Sequence, residues 1–95
     1  MNITDYCEVQ LAKRQTNFLF VLIKTTKDAK NGDAININKL IGSCSFEILF
    51  VTQDPKSSEF DPPSWNSQTV FLGSPPVGER TLVIIGVGIG GGVND

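Results

Sequence analysis

Hydrophobic and polar residues follow a β-strand pattern along most of this chain. Residues 6–13 alternate in polarity, which is the period of a half-buried strand, while the helix-forming residues at 12–15 leave a short helix as the competing interpretation. Residues 17–26 are almost continuously apolar or β-branched, so we expect a central strand that is covered on both faces. Residues 34–41 alternate again and predict an outer strand with one polar face.

Turn-forming residues separate these runs and define further strands. The Asn31-Gly32 pair favours a type I′ turn and predicts a hairpin between the central strand and the strand that follows it. Gly42 interrupts the pattern before an amphipathic strand at 43–53. The Pro- and Ser-rich residues 54–67 lack periodicity and predict a long loop. The predicted strands are 6–13, 17–26, 34–41, 43–53, 68–72 and 80–85.

The number and spacing of these strands define a fold class. No convincing helix, internal repeat or linker interrupts the pattern, and 95 residues suit one domain. We therefore predict an all-β fold, a small antiparallel β-sandwich or barrel of about five to six strands. Residues 1–95 should form a single β domain, with residues 90–95 as a Gly-rich tail that either pairs or frays. Within the fourth strand, Cys44, Phe46, Ile48 and Phe50 should share one apolar face.

Composition favours self-association and argues against nucleic-acid binding. Hydrophobic residues make up 40% of the chain and charged residues 19%, so a domain this small has apolar side chains left over for an interface. The net charge is −2, and no basic cluster with interleaved aromatic residues is present. We therefore expect a homo-oligomer or a complex with another protein, and no nucleic-acid partner.

Candidate chemistry is sparse. The chain has no histidine, which removes the commonest general base and metal ligand, so we predict a non-enzymatic protein without a cofactor or metal. Cys7 and Cys44 do not form a CxxC motif; we interpret both as buried thiols, with a disulfide as the alternative. The polar N-terminus does not resemble a signal peptide, and the apolar run at 18–23 is too short to cross a membrane. We expect a cytoplasmic protein without membrane contact.

The glycine run near the C-terminus has a familiar spacing and a simpler structural interpretation. Gly86, Gly88 and Gly91 match the GxGxxG spacing that resembles the start of flavin and nicotinamide nucleotide enzymes. That motif needs a following helix to bind the pyrophosphate, and only four residues follow Gly91, so we expect no dinucleotide binding. In an extended strand Gly86, Gly88 and Gly90 share one bare face, which is a candidate surface for close approach by the domain's own sheet or by a partner.

The long loop carries a second candidate site. It contains the single tryptophan, Trp65, together with Asp61, Asn66 and the adjoining Gln68. One hypothesis is a lectin-like site in which Trp65 stacks on a sugar ring while the polar groups form hydrogen bonds. The alternative is that Trp65 and Phe60 fold back and cap the core, which is the commoner role of an aromatic residue in a small domain. The acid spacing lacks the dense alternation of a calcium-binding loop.

These features predict a non-enzymatic protein-interaction or structural β domain that self-associates through an apolar sheet face or the C-terminal ribbon. The alternative is a small carbohydrate- or ligand-binding module that uses residues 54–68 around Trp65. The candidate ligand or partner surface consists of Asp61, Trp65, Asn66, Gln68, Gly86, Gly88 and Gly90.

Overall fold

The computed structural model describes residues 1–42 and 46–88. Strands account for 51% of the structure and helices for 9%, so the all-β prediction is confirmed. In chain order the elements are a 3₁₀ turn at Thr4–Tyr6, β1 (Glu8–Gln15), β2 (Phe18–Lys24), β3 (Ala34–Asn36), α1 (Ile37–Ile41), β4 (Phe46–Asp54), β5 (Ser64–Trp65), β6 (Thr69–Phe71) and β7 (Thr81–Gly88). None of the helices in these two ranges is long and apolar enough to span a membrane.

The larger sheet contains four antiparallel strands in the order β1-β2-β7-β4. The central strands β2 and β7 are aligned so that Val21 lies opposite Ile84 and Phe20 lies opposite Ile85. The central position predicted for a strand within residues 17–26 is thus confirmed, but the predicted cover on both of its faces is not, because Phe18 and Phe20 are exposed. Because successive side chains of a strand point to opposite faces, β2 and β7 place apolar residues on both faces of this sheet.

The smaller sheet contains three antiparallel strands in the order β3-β6-β5. A parallel bridge between Asn2 and Ala34 extends it on the β3 side. The described strands do not close into a barrel. Both sheets contribute to one core, whose buried apolar residues are Ile3, Leu19, Val21, Ile23, Ala29, Ile35, Ile37, Phe46, Ile48, Val51, Val70, Leu72, Leu82 and Ile84.

Arg80 ties together the loops at one end of this core. Its side chain is completely buried, and burial lowers the pKa of the guanidinium, while the carboxylate of Asp33 opposes that shift. The two terminal guanidinium nitrogens of Arg80 donate hydrogen bonds to backbone carbonyl oxygens. These acceptors belong to Ala29 (2.7 Å), Gly73 (2.9 Å), Gly78 (2.6 Å) and Pro75. The loops before β3 and before β7 are therefore joined through a single cation.

The predicted hairpin at Asn31-Gly32 is wrong. β2 forms its hairpin with β1, through a turn in which Thr16 has a φ of 57°, whereas β3 belongs to the smaller sheet. Gly32 does adopt the positive φ (86°) that makes this dipeptide turn-forming. However, the backbone N–H groups of Asn31 and Gly32 donate to the carbonyls of Pro76 (3.0 Å) and Leu72 (2.8 Å), not to a neighbouring hairpin strand. The segment therefore crosses between the sheets.

The predicted strand at 34–41 is correct only at its start, because α1 follows β3 directly. The side-chain oxygen of Asn36 accepts a hydrogen bond from the backbone N–H of Lys39 (3.0 Å) and caps the helix. Gly42 then takes the left-handed conformation (φ 71°) that commonly ends a helix. Ile37 is buried as the first helical residue, so the apolar alternation continues into a segment that is not a strand.

Two other boundaries differ from the prediction. The first strand begins at Glu8 rather than at residue 6, and it continues through residues 12–15, for which the sequence left a helix open. The predicted loop at 54–67 includes β5, which pairs with β6. The strands predicted within 68–72 and 80–85 are confirmed as β6 and β7, while residues 43–45 lie outside the described part of the chain.

Candidate interaction face of the four-stranded sheet

The two faces of the larger sheet differ in what covers them. The inner face contributes Leu19, Val21 and Ile23 of β2 and the corresponding residues of β7 to the core. The opposite face, here called the outer face, is also apolar, but none of the described residues forms a second layer over it. Its apolar side chains are Leu11, Phe18, Phe20, Leu22, Phe50, Val83, Ile85 and Val87.

Strand register places these side chains in one contiguous patch. Directly opposed residues in antiparallel strands lie on the same face, and Phe20 is opposed to Ile85, which is in turn opposed to Phe50. In the neighbouring row, Leu11 is opposed to Leu22, and Leu22 to Val83. The patch therefore crosses all four strands.

Several of these large side chains are substantially accessible to solvent. The exposed fraction is 53% for Leu11, 51% for Phe50, 44% for Phe18 and 36% for Phe20. Single exposed apolar residues are normal on a protein surface, but a contiguous apolar patch of this extent commonly marks an interaction site.

Two β-bulges enlarge the outer face. A register shift between Val9 and Leu11 turns Leu11 outward, although simple alternation would have placed it on the same face as Val9. A second shift between Ile48 and Phe50 does the same for Phe50, so the prediction that Phe50 shares an apolar face with Ile48 is wrong. At this bulge the backbone N–H of Ile48 donates to Ser67 (2.8 Å), and β4 is thereby tied to the turn between β5 and β6.

Charged and polar residues border the patch at its two edge strands. On β1, Lys13 is opposed to Phe20 and therefore lies on the outer face. On β4, Glu47 is opposed to Val87 and also lies on the outer face. At one end of the sheet, Lys24 forms an ion pair with Glu79 (3.7 Å). The patch thus has an apolar centre and a polar rim, as protein interfaces commonly have.

Trp65, the centre of the predicted sugar-binding loop, packs within the protein. It is half-buried against the core, lies in β5 opposite Val70, and forms an edge-to-face contact with Phe50 at 6.0 Å between ring centroids. This placement resembles the capping alternative for Trp65. Phe60 does not take part, because 90% of its side chain is exposed.

The polar residues predicted around Trp65 form hydrogen bonds within the chain. The side-chain oxygen of Asn66 accepts hydrogen bonds from the backbone N–H groups of Gln68 (3.0 Å) and Thr69 (2.8 Å), which organises the turn between β5 and β6. The carboxylate of Asp61 accepts a hydrogen bond from the side chain of Asn31. Asn66 and Gln68 therefore share one turn next to Trp65, whereas Asp61 is tied to the loop before β3.

At Gly86 the predicted bare glycine face is filled by the chain itself. A Cβ atom on Gly86 would overlap the ring of Phe46, so this position is closed to a partner. Gly88 pairs with Phe46 in the sheet and donates its backbone N–H to Asn17 (3.2 Å). Gly90 lies outside the described residues. On β7 the accessible candidate surface is therefore the outer face, with Val83, Ile85 and Val87, and not the face of Gly86.

A cavity of about 270 Å³ is lined by apolar residues, including Ile3 and Ala29, and by charged residues, including Lys30 and Asp33. Its buried carboxylate, Asp33, is held by the backbone N–H of Lys30 (2.8 Å) and by the terminal amine of Met1 (3.5 Å). Across residues 1–42 and 46–88, no group of three or more His, Cys, Asp or Glu side chains is arranged to hold a metal ion.

Comparison with known proteins adds no functional constraint. No protein-family model, curated protein or solved structure matches this chain.

Proposed function

We propose that this chain is a non-enzymatic β-sandwich domain whose function is protein–protein interaction, and that it self-associates through the outer face of its four-stranded sheet. The observation that carries this proposal is the row of Phe20, Ile85 and Phe50 at the centre of an exposed apolar surface. Removal of an apolar sheet face from water lowers the free energy, and the outer face is the one that none of the described residues covers.

The dimensions of the outer face suit a modest interface. β2 has seven residues, and four strands at normal spacing give a flat projection of about 450 Å² per copy. Two such faces, with the additional area of their side chains, reach the total of about 1,000 Å² that a specific interface needs. The small net charge of −2 adds little repulsion between copies.

Replacement of Phe20 by glutamate tests the proposal. A charge at the centre of the face must lose its hydration when two faces pack together, so we expect Phe20→Glu to abolish association while the isolated domain stays folded. Phe60→Glu is the matched control, because Phe60 is a highly exposed phenylalanine in a loop outside the sheet. Sedimentation velocity up to about 100 µM, with circular dichroism to monitor folding, separates the variants.

The proposal is contradicted if the unmodified chain sediments with the mass of a single 10.3 kDa chain throughout this range. It is also contradicted if Phe60→Glu dissociates the assembly as completely as Phe20→Glu does.

The glycan-binding alternative has weaker support, because Trp65 packs against Phe50 and Asn66 serves the adjoining turn. The cytoplasmic location is a prediction from the sequence alone.

A further inference from the structure

We infer that the cavity beside the N-terminal segment is a binding site for a small organic cation, an ammonium ion with a compact apolar group, and that the carboxylate of Asp33 is its counter-ion. The lining of the cavity comes from residues 1–6 and from residues 26–33 between β2 and β3, so the cavity shares no residue with the outer face. The inference is therefore independent of the proposed self-association.

The buried and exposed parts of the cavity lining differ in chemistry. The buried part consists of Ile3 (7% exposed), Ala29 (2%) and Asp33 (6%). The other lining residues are exposed to solvent, and they are Met1, Tyr6, Thr26, Asp28 and Lys30. Exposed charges are screened by water and salt, so the buried carboxylate of Asp33 dominates the electrostatics of the site. A ligand that enters meets apolar walls and one carboxylate.

The carboxylate of Asp33 has room for a further hydrogen bond. Its Oδ2 atom accepts a hydrogen bond from the backbone N–H of Lys30 (2.8 Å). Its Oδ1 atom has one ion-pair partner among the described residues, the solvent-exposed terminal amine of Met1 at 3.5 Å. A charge-assisted N–H···O bond is shorter, at about 2.7–2.9 Å, and a buried carboxylate is stabilised most by such a bond. Oδ1 therefore favours an ammonium donor over a neutral or an anionic group.

Hydrogen bonds fix the walls of the cavity. The backbone N–H of Ile3 donates to the carbonyl of Ala34 (2.8 Å), and the backbone N–H of Ala34 donates to the carbonyl of Met1 (2.8 Å). On the other wall the carbonyl of Ala29 accepts a hydrogen bond from the guanidinium of Arg80 (2.7 Å). Because these walls are already ordered, a ligand loses little binding free energy to ordering them.

The volume of the cavity limits the size of the ligand. At about 270 Å³ it lies just below the range of about 300–1,000 Å³ that is typical of ligand pockets. A phenyl ring with a short aminoalkyl chain is a cation of suitable size, and protonated 2-phenylethylamine is the simplest probe of this class. For so small a ligand we expect a dissociation constant on the order of 1 mM.

Three probes of similar size and different charge test the inference on the unmodified chain. 2-Phenylethylamine should bind about tenfold more tightly than the neutral 2-phenylethanol, and the anionic 3-phenylpropionate should bind more weakly than both. Titrations followed by ¹⁵N nuclear magnetic resonance provide the dissociation constants. The largest shifts should fall on the backbone signals of Ile3, Ala29 and Asp33.

Two variants test the role of the carboxylate and of the cavity. Asp33→Asn removes the charge at nearly constant size, so the amine should bind about tenfold more weakly, while the affinity for the alcohol stays the same. Asp54→Asn is the matched control, because Asp54 is exposed and lies on β4. Ala29→Leu fills the cavity and should weaken both probes at least about tenfold. Circular dichroism monitors the folding of each variant.

Each contrary outcome overturns a stated part of the inference. Equal affinity for the amine and the alcohol in the unmodified chain, or tighter binding of the carboxylate probe, would exclude a cation site. Shifts confined to other regions would place the site elsewhere. A preference for the amine that persists in Asp33→Asn would show that Asp33 is not the counter-ion. If Asp33→Asn does not fold, the ranking of the three probes and the effect of Ala29→Leu decide.

The variant Phe20→Glu separates this site from the proposed self-association. Phe20 does not line the cavity, so this variant should bind 2-phenylethylamine as tightly as the unmodified chain does. Loss of association with unchanged amine binding supports both proposals. An unmodified chain that stays monomeric and still binds the amine contradicts the proposed function alone, and an associating chain that binds none of the probes contradicts the cation site alone.

Discussion

The two faces of the four-stranded sheet are built from the same strands and differ in what lies on them. Along β2, Leu19, Val21 and Ile23 are buried in the core, while the alternate residues Phe18 and Phe20 are exposed. Along these residues of β2 the two faces therefore differ in coverage, whereas at the edge strands the outer face also carries charged residues such as Lys13 and Glu47. On the proposal made above, a second copy of the chain covers this exposed apolar face.

The comparison predicts unequal effects for adjacent residues of β7. Ile84 is completely buried, so Ile84→Ala should reduce the free energy of unfolding by about 2–4 kcal/mol through lost burial and a cavity. Val83→Ala on the outer face should cost less than about 1 kcal/mol in the monomer, because 39% of Val83 is already exposed. Urea denaturation in a Phe20→Glu background measures both without a contribution from association. Equal losses would mean that the faces are not different environments.

Gly86, on the inner face of β7, provides a sharper test of the packing there. Gly86→Ala should destabilise the domain by about 1–3 kcal/mol, because the added methyl group overlaps the Phe46 ring. In a Phe46→Ala background the same substitution should cost less, since the ring is absent, and the overlap with the backbone carbonyl of Glu47 should account for the remaining cost. A double-mutant cycle by chemical denaturation provides the coupling energy. Additive effects would show that Phe46 does not occupy the space above Gly86.

We expect the free energy of unfolding to depend on pH through Cys7, which is half-buried against the core. Burial raises the pKa of its thiol from 9.0 to about 11, with a smaller contribution from the carboxylate of Asp33. The unfolded chain therefore loses this proton first, so stability due to Cys7 is complete below pH 9.0 and is lost as the pH rises toward 11. We expect Cys7→Ala to flatten this part of the stability curve. A decline that is identical in both proteins would assign it to other groups.

The fluorescence of Trp65 probes the outer face without any measurement of stability, because the Trp65 ring contacts Phe50. Dilution of the unmodified chain should shift its fluorescence as the covered face becomes exposed, whereas Phe20→Glu should show the dilute spectrum at every concentration. A panel of glycans should leave the emission unchanged. A saturable shift with one sugar would instead support the ligand-binding alternative at residues 54–68.

The sequence predicted the strands with the strongest periodicity and missed features that depend on single residues. The uninterrupted apolar run in β2 was enough to predict its central position, since a strand at an edge has no need of it. The bulges before Leu11 and Phe50 leave no mark in the alternation, so the faces of β1 and β4 were assigned incorrectly beyond them. Asn36 and Gly42 are typical helix caps, and they were the available signal for α1.

The candidate surface was predictable only in part. An apolar sheet face was expected from composition, but its location depends on tertiary coverage, which periodicity does not contain. Trp65 and Gly86 stood out in the sequence because their residue types are distinctive, yet in the structure both serve internal packing. Phe20 was less distinctive as one member of a long apolar run.

The central claim, that a second copy covers the outer face, is tested most directly by isotope-filtered nuclear Overhauser measurements on a mixture of labelled and unlabelled chains. The filter retains only contacts between copies, although Phe20 and Ile85 are also neighbours within one sheet. We predict intermolecular contacts that involve the outer-face residues Phe20 and Ile85, and none from the inner-face residues Val21 and Ile84. Intermolecular contacts that arise only from other surfaces, or none at concentrations where the chain is associated, would contradict the account.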